Sequence, residues 1–207
     1  MPPPALITLS HPHPTIHLLT LSSAPDNRLT PAFLAELAAH LDTIEALWRG
    51  GDQKAGGAVV ITSDQGKFFS NGLDYEKAMA VDRFFEGSVP QLTFASPLPN
   101  SFPALLTLRI PHPPDLRDTL LARRWTQKEL LERGIVDAII GPGELVKTAI
   151  EWGVKEGPKA GPGSWGSIKD GLYHSVQDAS RSNRPVLFPK QEAKMFWDRV
   201  GKGKAKL

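Results

Sequence analysis

The run Lys67-Phe68-Phe69-Ser70-Asn71-Gly72-Leu73-Asp74 carries the strongest chemical signal in the chain. It follows an apolar stretch, Gly57-Ala58-Val59-Val60-Ile61-Thr62, and a turn, Ser63-Asp64-Gln65-Gly66. It precedes Tyr75-Glu76-Lys77-Ala78-Met79-Ala80, which reads as the start of a helix running to about Glu86. A strand, a tight glycine-containing loop and a helix N-terminus leave backbone N–H groups free at the mouth of a sheet. Such groups can hold negative charge as it develops on a reacting oxygen. The plainer reading is a structural turn with Asp74 capping a helix start.

Other chemistries find less support. The chain has no cysteine, which excludes disulfides, thiolate nucleophiles and cysteine-based zinc sites. His11, His13 and His17 are close in sequence, but the intervening prolines suit a polar turn better than a metal site, and no carboxylate cluster accompanies them. His112 and His174 are isolated. Gly161-Pro162-Gly163-Ser164-Trp165-Gly166 fits G-x-G-x-x-G formally, yet it follows no strand and carries proline in the turn. Gly66-Lys67 is followed by Phe68 and is no phosphate loop. Arg123, Arg124 and Lys128 read as the exposed face of a helix, and the five tryptophans as core and lid residues.

The elements that would position the loop follow from periodicity. Ala5 to Ser10 and Thr15 to Leu21 read as strands of a hairpin separated by His11-Pro12-His13-Pro14. Thr30 is a good N-cap with Pro31 at the first helical position. Phe33, Leu34, Leu37, Leu41, Ile44 and Leu47 then recur at helical spacing up to Trp48, and Arg49-Gly50-Gly51 ends the helix. Gly57 to Thr62 reads as a strand buried on both faces. Helices are expected over 115–123, 126–133, 144–155, 169–179 and 189–200, the second opened by a Thr126/Glu129 capping box. Ile135 to Ile140 reads as a short strand and Gly157 to Gly166 as a linker. Alternating strands and helices predict an α/β fold.

At 207 residues, 41% hydrophobic and 22% charged, the composition is that of an ordinary soluble domain with a real core. A net charge of +2 is too small to argue for nucleic acid. No apolar run approaches the roughly 20 residues of a membrane span. Met1-Pro2-Pro3-Pro4-Ala5 resembles neither a signal peptide nor a transit peptide.

The loop, read with its flanks, resembles the crotonase superfamily, the enoyl-CoA hydratases and isomerases. There a loop of the form F-(S/A)-x-G-x-D follows a G-x-V-(V/I)-(I/L)-T strand, and Phe68-Phe69-Ser70-Asn71-Gly72-Leu73-Asp74 is most similar to the Δ3-Δ2-enoyl-CoA isomerase-like branch. Ile16-His17-Leu18-Leu19-Thr20-Leu21, the turn Pro25-Asp26-Asn27-Arg28-Leu29-Thr30, and the block from Ala122 to Gly134-Ile135-Val136-Asp137 match further family segments. The resemblance implies a crotonase-like ββα spiral acting on fatty acyl-CoA thioesters, by Δ3 to Δ2 double-bond isomerisation or by hydration through a stabilised enolate. It implies that the Leu73 N–H is one oxyanion donor. Arg28, Ser70, Asn71, Gly72 and Asp74 would line or orient the acyl-CoA cleft. No separate cofactor is expected, since coenzyme A is part of the substrate. Homo- or hetero-oligomers are implied, with no nucleic acid and no membrane span.

The middle departs from the family pattern. Gln91-Leu92-Thr93-Phe94-Ala95-Ser96 runs directly into Pro97-Leu98-Pro99-Asn100-Ser101-Phe102, so the spiral reads as truncated near residues 95–98. The second oxyanion donor and the catalytic glutamate have no counterpart, and the general base is unknown. Glu76, Asp82, Glu86, Asp115 and Asp118 are acids of the region but fit no family motif. The alternative is therefore a catalytically inactive acyl-CoA-binding or partner subunit of full-length relatives. The organisation expected is a core over 1–156, a C-terminal helical region over 157–200 and a tail over 201–207. Ala205-Lys206-Leu207 fits the small–basic–Leu pattern of a peroxisomal address, with the import receptor as a partner.

Overall fold

The computed structural model describes residues 5–72, 101–182 and 189–200. These form two compact units. One contains residues 5–72 and 127–173, and the other residues 101–126, 174–182 and 189–200. The helix expected after Asp74 and the shortened region near 95–98 lie outside the described residues.

The first unit is built on a three-stranded sheet of order β1-β2-β3, with β1 Ile7–His13, β2 Ile16–Leu21 and β3 Ala58–Ser63. The hairpin forms as expected, but β1 runs through Pro12 to His13. A bulge between Ser10 and His13 sets His11 and Pro12 against the single residue His17, which gives the proline a place where no ladder N–H is required. β3 pairs with β2 in parallel, in register Leu19↔Ile61.

Helix α1, Pro31–Gly50, is the connection between β2 and β3. Thr30 Oγ1 accepts from the Phe33 amide at 3.2 Å, the cap expected from its sequence. α1 buries Phe33 and Ile44 against Ile7, Leu19 and Leu21. Its apolar stripe is wider than this contact, and Leu34, Leu41 and Leu47 are exposed. α1 also covers the outer edge of the sheet. Glu36 Oε1 accepts from the amides of Leu6 and Ile7, at 3.0 and 2.9 Å, and His40 Nε2 lies 3.1 Å from the Ile7 carbonyl oxygen. A strand edge that would otherwise offer unpaired backbone groups is thus tied to side chains.

β3 does not meet the expectation of burial on both faces. Val59 and Ile61 are each 43% exposed, and among the described residues β3 is the second edge of the sheet.

Helices α2 Ser101–Arg109 and α3 Pro113–Leu120 belong to the second unit, and α4 Gln127–Glu132 and α5 Leu145–Glu156 to the first. α6 Ser164–Arg181 and α7 Pro189–Val200 follow. α2 went unread in the sequence because prolines crowd its start, yet Pro103 sits in its first turn, where the missing N–H breaks no helical bond. The strand expected over Ile135–Ile140 does not form. The Ile135 and Gly134 amides instead close α4, donating to the carbonyls of Leu130 and Leu131 around a left-handed Gly134.

The expected linker from Gly157 is ordered structure. A 3-10 turn, Gly157–Ala160, lies against a second such turn, Gln53–Ala55, and α6 begins at Ser164. Gly57 donates to the Gly157 carbonyl at 3.2 Å, and a Cβ on Gly161 would meet the Lys54 carbonyl oxygen at 2.0 Å. The glycines serve close backbone approach rather than flexibility. Trp152, Trp165 and Trp197 are about half exposed, so three of the five tryptophans are not core residues. No helix among the described residues is long and apolar enough to cross a membrane.

Candidate functional site

β2 and β3 run in parallel, and both deliver their carboxyl ends to one place. β2 ends at Leu21 and leads into the turn 22–29, while β3 ends at Ser63 and leads into the loop 64–72. The carboxyl ends of parallel strands are where open α/β sheets present loops to ligands.

Asn27 joins the two loops. It is fully buried and adopts a left-handed backbone, φ 50°. Its Nδ2 donates to the Leu21 carbonyl at 3.3 Å, to Ser63 Oγ at 2.7 Å and to the Phe69 carbonyl at 3.0 Å. Its Oδ1 accepts from the Ser23 amide at 2.7 Å. One side chain therefore ties the ends of both strands to the loop. Ser63 reinforces it by donating to the Phe68 carbonyl at 2.9 Å.

The loop and the turn are then stitched residue by residue. The Asn71 amide donates to the Asp26 carbonyl at 2.8 Å, and Asn71 Nδ2 to Asp26 Oδ2 at 2.9 Å. Ser70 Oγ donates to the Asn27 carbonyl at 2.7 Å and accepts from the Gly72 amide at 3.1 Å. The Leu29 amide donates to the Gly72 carbonyl at 2.8 Å. Gly72 has φ 76°, a conformation that a side chain would strain.

Of the residues singled out in the sequence, Arg28, Ser70, Asn71 and Gly72 are brought together. Arg28 Nε is 3.2 Å from Asp26 Oδ2, with its side chain 47% exposed. Leu73 and Asp74 lie outside the described residues, as do Ala205, Lys206 and Leu207. Asn27, Asp26 and Ser63 hold the loop without having been singled out. The signal available was the polar pair Asp26-Asn27 in a turn, since these residue types bond local backbone and tolerate left-handed geometry.

The described carboxylate at this site is Asp26. Its Oδ2 is held by Arg28 and Asn71, while its Oδ1 is buried and makes no hydrogen bond to protein. Asp115 and Asp118 belong to the other unit. Asp115 pairs with His112 at 3.0 Å. Asp118 pairs with Arg117 and Arg123, which hold its carboxyl below the usual aspartate range. Arg123 also lies over the Trp125 ring at 4.3 Å, so it packs locally rather than standing out as a free cation. Glu76, Asp82 and Glu86 lie outside the described residues.

This geometry can be set beside known proteins. No family model and no curated protein sequence matches the chain. Solved structures do. An apo enoyl-CoA isomerase of Mycobacterium tuberculosis superposes with a TM-score of 0.70 at 16% identity, covering 86% of this chain and 95% of that one. An enoyl-CoA hydratase of Mycobacterium marinum gives 0.67 at 18% identity, covering 86% and 96%. An enoyl-CoA hydratase/isomerase family protein of Pseudomonas syringae gives 0.67 at 12% identity, covering 88% and 98%. The chain has the crotonase fold. At these identities the likeness is one of architecture. In this fold the stitched loop and turn sit at the carboxyl ends of β2 and β3.

Proposed function

We propose that the chain binds fatty acyl-CoA thioesters and isomerises a Δ3 double bond to Δ2 through a stabilised enolate. The observation that carries this reading is the stitched loop. The amides of Asn71 and Gly72 are already spent on Asp26 and Ser70, so the next N–H along the chain is that of Leu73. A backbone N–H is suited to a thioester oxygen when it is oriented before charge develops. Arg28, half exposed beside the loop, offers charge to the phosphates of coenzyme A.

The test is a spectrophotometric assay of the purified chain with 3-enoyl-CoA, following formation of 2-enoyl-CoA, alongside calorimetry with a saturated acyl-CoA. Turnover that falls in Gly72→Val supports the isomerase reading. A folded chain that shows neither binding nor turnover overturns it.

One observation favours a second reading, that of an inactive acyl-CoA binder or partner subunit. The carboxylate described at the loop, Asp26, is engaged by Arg28 and Asn71 and is poorly placed to shuttle a proton. Binding without turnover, and co-purification with a full-length relative, would select this reading. The exposed Val59 and Ile61 on β3 are consistent with either self-association or such a partner.

A peroxisomal location belongs to the same proposal and rests on Ala205-Lys206-Leu207. A fluorescent fusion carrying this tail should enter peroxisomes, and removal of Leu207 should leave it in the cytosol.

A further inference from the structure

We propose that His11 and His17 form a two-imidazole site for a borderline divalent transition-metal ion of the Zn2+ or Ni2+ class. The site lies on the same unit as the stitched loop but at the opposite end of β2. The bulge in β1 brings His11 beside His17, with Nδ1 to Nδ1 at 3.1 Å. The rings are nearly perpendicular, 85° apart, with centroids separated by 5.0 Å.

Two neutral imidazole nitrogens repel at this distance unless something positive lies between their lone pairs. A proton on one ring provides it as an N–H···N hydrogen bond. A metal ion replaces that proton and uses both lone pairs. Two nitrogens bound at about 2.0–2.1 Å to one tetrahedral ion stand roughly 3.4 Å apart, so the rings need open by only a few tenths of an ångström.

The surroundings favour a cation. His11 and His17 line an open groove of about 440 Å³ together with Gly51 and Asp52. Gly51 is the C-cap of α1, and the carboxyl end of a helix carries partial negative charge. Asp52 adds a formal one. No group of three or more His, Asp or Glu residues that could hold a metal occurs among the described residues, so water completes the coordination sphere in the open groove. Imidazole donors select borderline ions over Mg2+ and Ca2+. His13 stands apart from the pair, since its Nδ1 is 3.0 Å from Thr15 Oγ1, and it serves as an internal control.

The experiment uses the full chain without an affinity tag, stripped with chelator and titrated with ZnCl2, NiCl2 or MgCl2 by calorimetry. One Zn2+ or Ni2+ per chain is expected, with no Mg2+ binding. His11→Ala and His17→Ala should each weaken binding by about tenfold or more, since loss even of an outer-shell partner has that effect. His13→Ala should leave it unchanged. Long-range 15N spectra of the wild-type protein give a readout independent of any variant's folding. The Nδ1 resonances of His11 and His17 should move together on addition of Zn2+. A folded double variant that binds as the parent does, or an absence of Zn2+ and Ni2+ binding by the parent, overturns the site.

Discussion

Asn27 Nδ2 and the carbonyl of Phe69 are joined at 3.0 Å across 42 residues of sequence, and this bond fixes the loop to the strand ends. The same side chain bonds Leu21, Ser23 and Ser63 and is fully buried. Asn27→Ala removes these partners, leaves buried polar groups unsatisfied and puts a Cβ-only residue at φ 50°. We expect a loss of about 3 kcal/mol in urea unfolding. Asn27→Gly relieves the backbone alone and should recover no more than about 1 kcal/mol of that loss. Asn27→Gly matching the parent would mean that the side-chain bonds contribute nothing.

Glu36 closes the outer edge of the sheet from the neighbouring helix. Its Oε1 accepts two β1 amides, from Leu6 and Ile7. Glu36→Ala should cost about 1–3 kcal/mol, because charge-assisted bonds to partly buried backbone are lost together. Glu36→Gln keeps an acceptor oxygen and should fall between. Hydrogen exchange at the Ile7 amide provides the local readout, and faster exchange is expected in Glu36→Ala alone of the two. Equal exchange in parent and Glu36→Ala would remove Glu36 from the edge.

Local signals were legible where one residue type decides the geometry. Thr30-Pro31 set the start of α1 to the residue, and the Gly57–Thr62 run gave β3. Arg28, Ser70, Asn71 and Gly72 were singled out through the family resemblance, and the structure brings them together at the ends of β2 and β3. What escaped reading depended on backbone partners that the local residue pattern does not name. Ile135–Ile140 carries strand-forming residues, but its first amides are spent closing α4. The Gly157–Gly166 stretch has linker composition, yet its glycines admit the backbone of residues 54–57. Asn27 looked like a turn residue, and only the fold reveals that it reaches Phe69. Val59 and Ile61 show the converse, where an apolar pattern suggests burial that the described residues do not supply.

Glycines in the C-terminal half should divide by what a Cβ would meet. At Gly161 it would stand 2.0 Å from the Lys54 carbonyl oxygen, a backbone atom that cannot rotate away. At Gly171, inside α6, nothing lies within 4 Å. Gly161→Ala should therefore destabilise by about 2 kcal/mol or more. Gly171→Ala should stabilise by about 0.5–1 kcal/mol, through helix propensity. Opposite shifts in thermal midpoint check the pair. Two shifts of the same sign would mean that the close approach of the two 3-10 turns does not set the stability of this end of the unit.

His17 predicts a pH dependence with a definite sign. Burial lowers its pKa from the ordinary 6.5, and the neighbouring His11 lowers it further. A lowered histidine pKa means that the folded chain binds fewer protons than the unfolded one between the two values. Stability is therefore complete above pH 6.5, falls as the pH drops below it, and levels off below the folded-state value. Urea unfolding midpoints measured with chelator present, so that no metal competes for the rings, should decline from pH 7.5 to pH 5.5. His11 from β1 faces the ring, and its protonation adds to the repulsion, while Asp52 from the segment after α1 lines the same groove. His17→Asn removes the titrating ring and should flatten this part of the profile, while His13→Asn should not. A parent profile that rises toward pH 5.5, or one unchanged by His17→Asn, would place the pH dependence elsewhere in the chain.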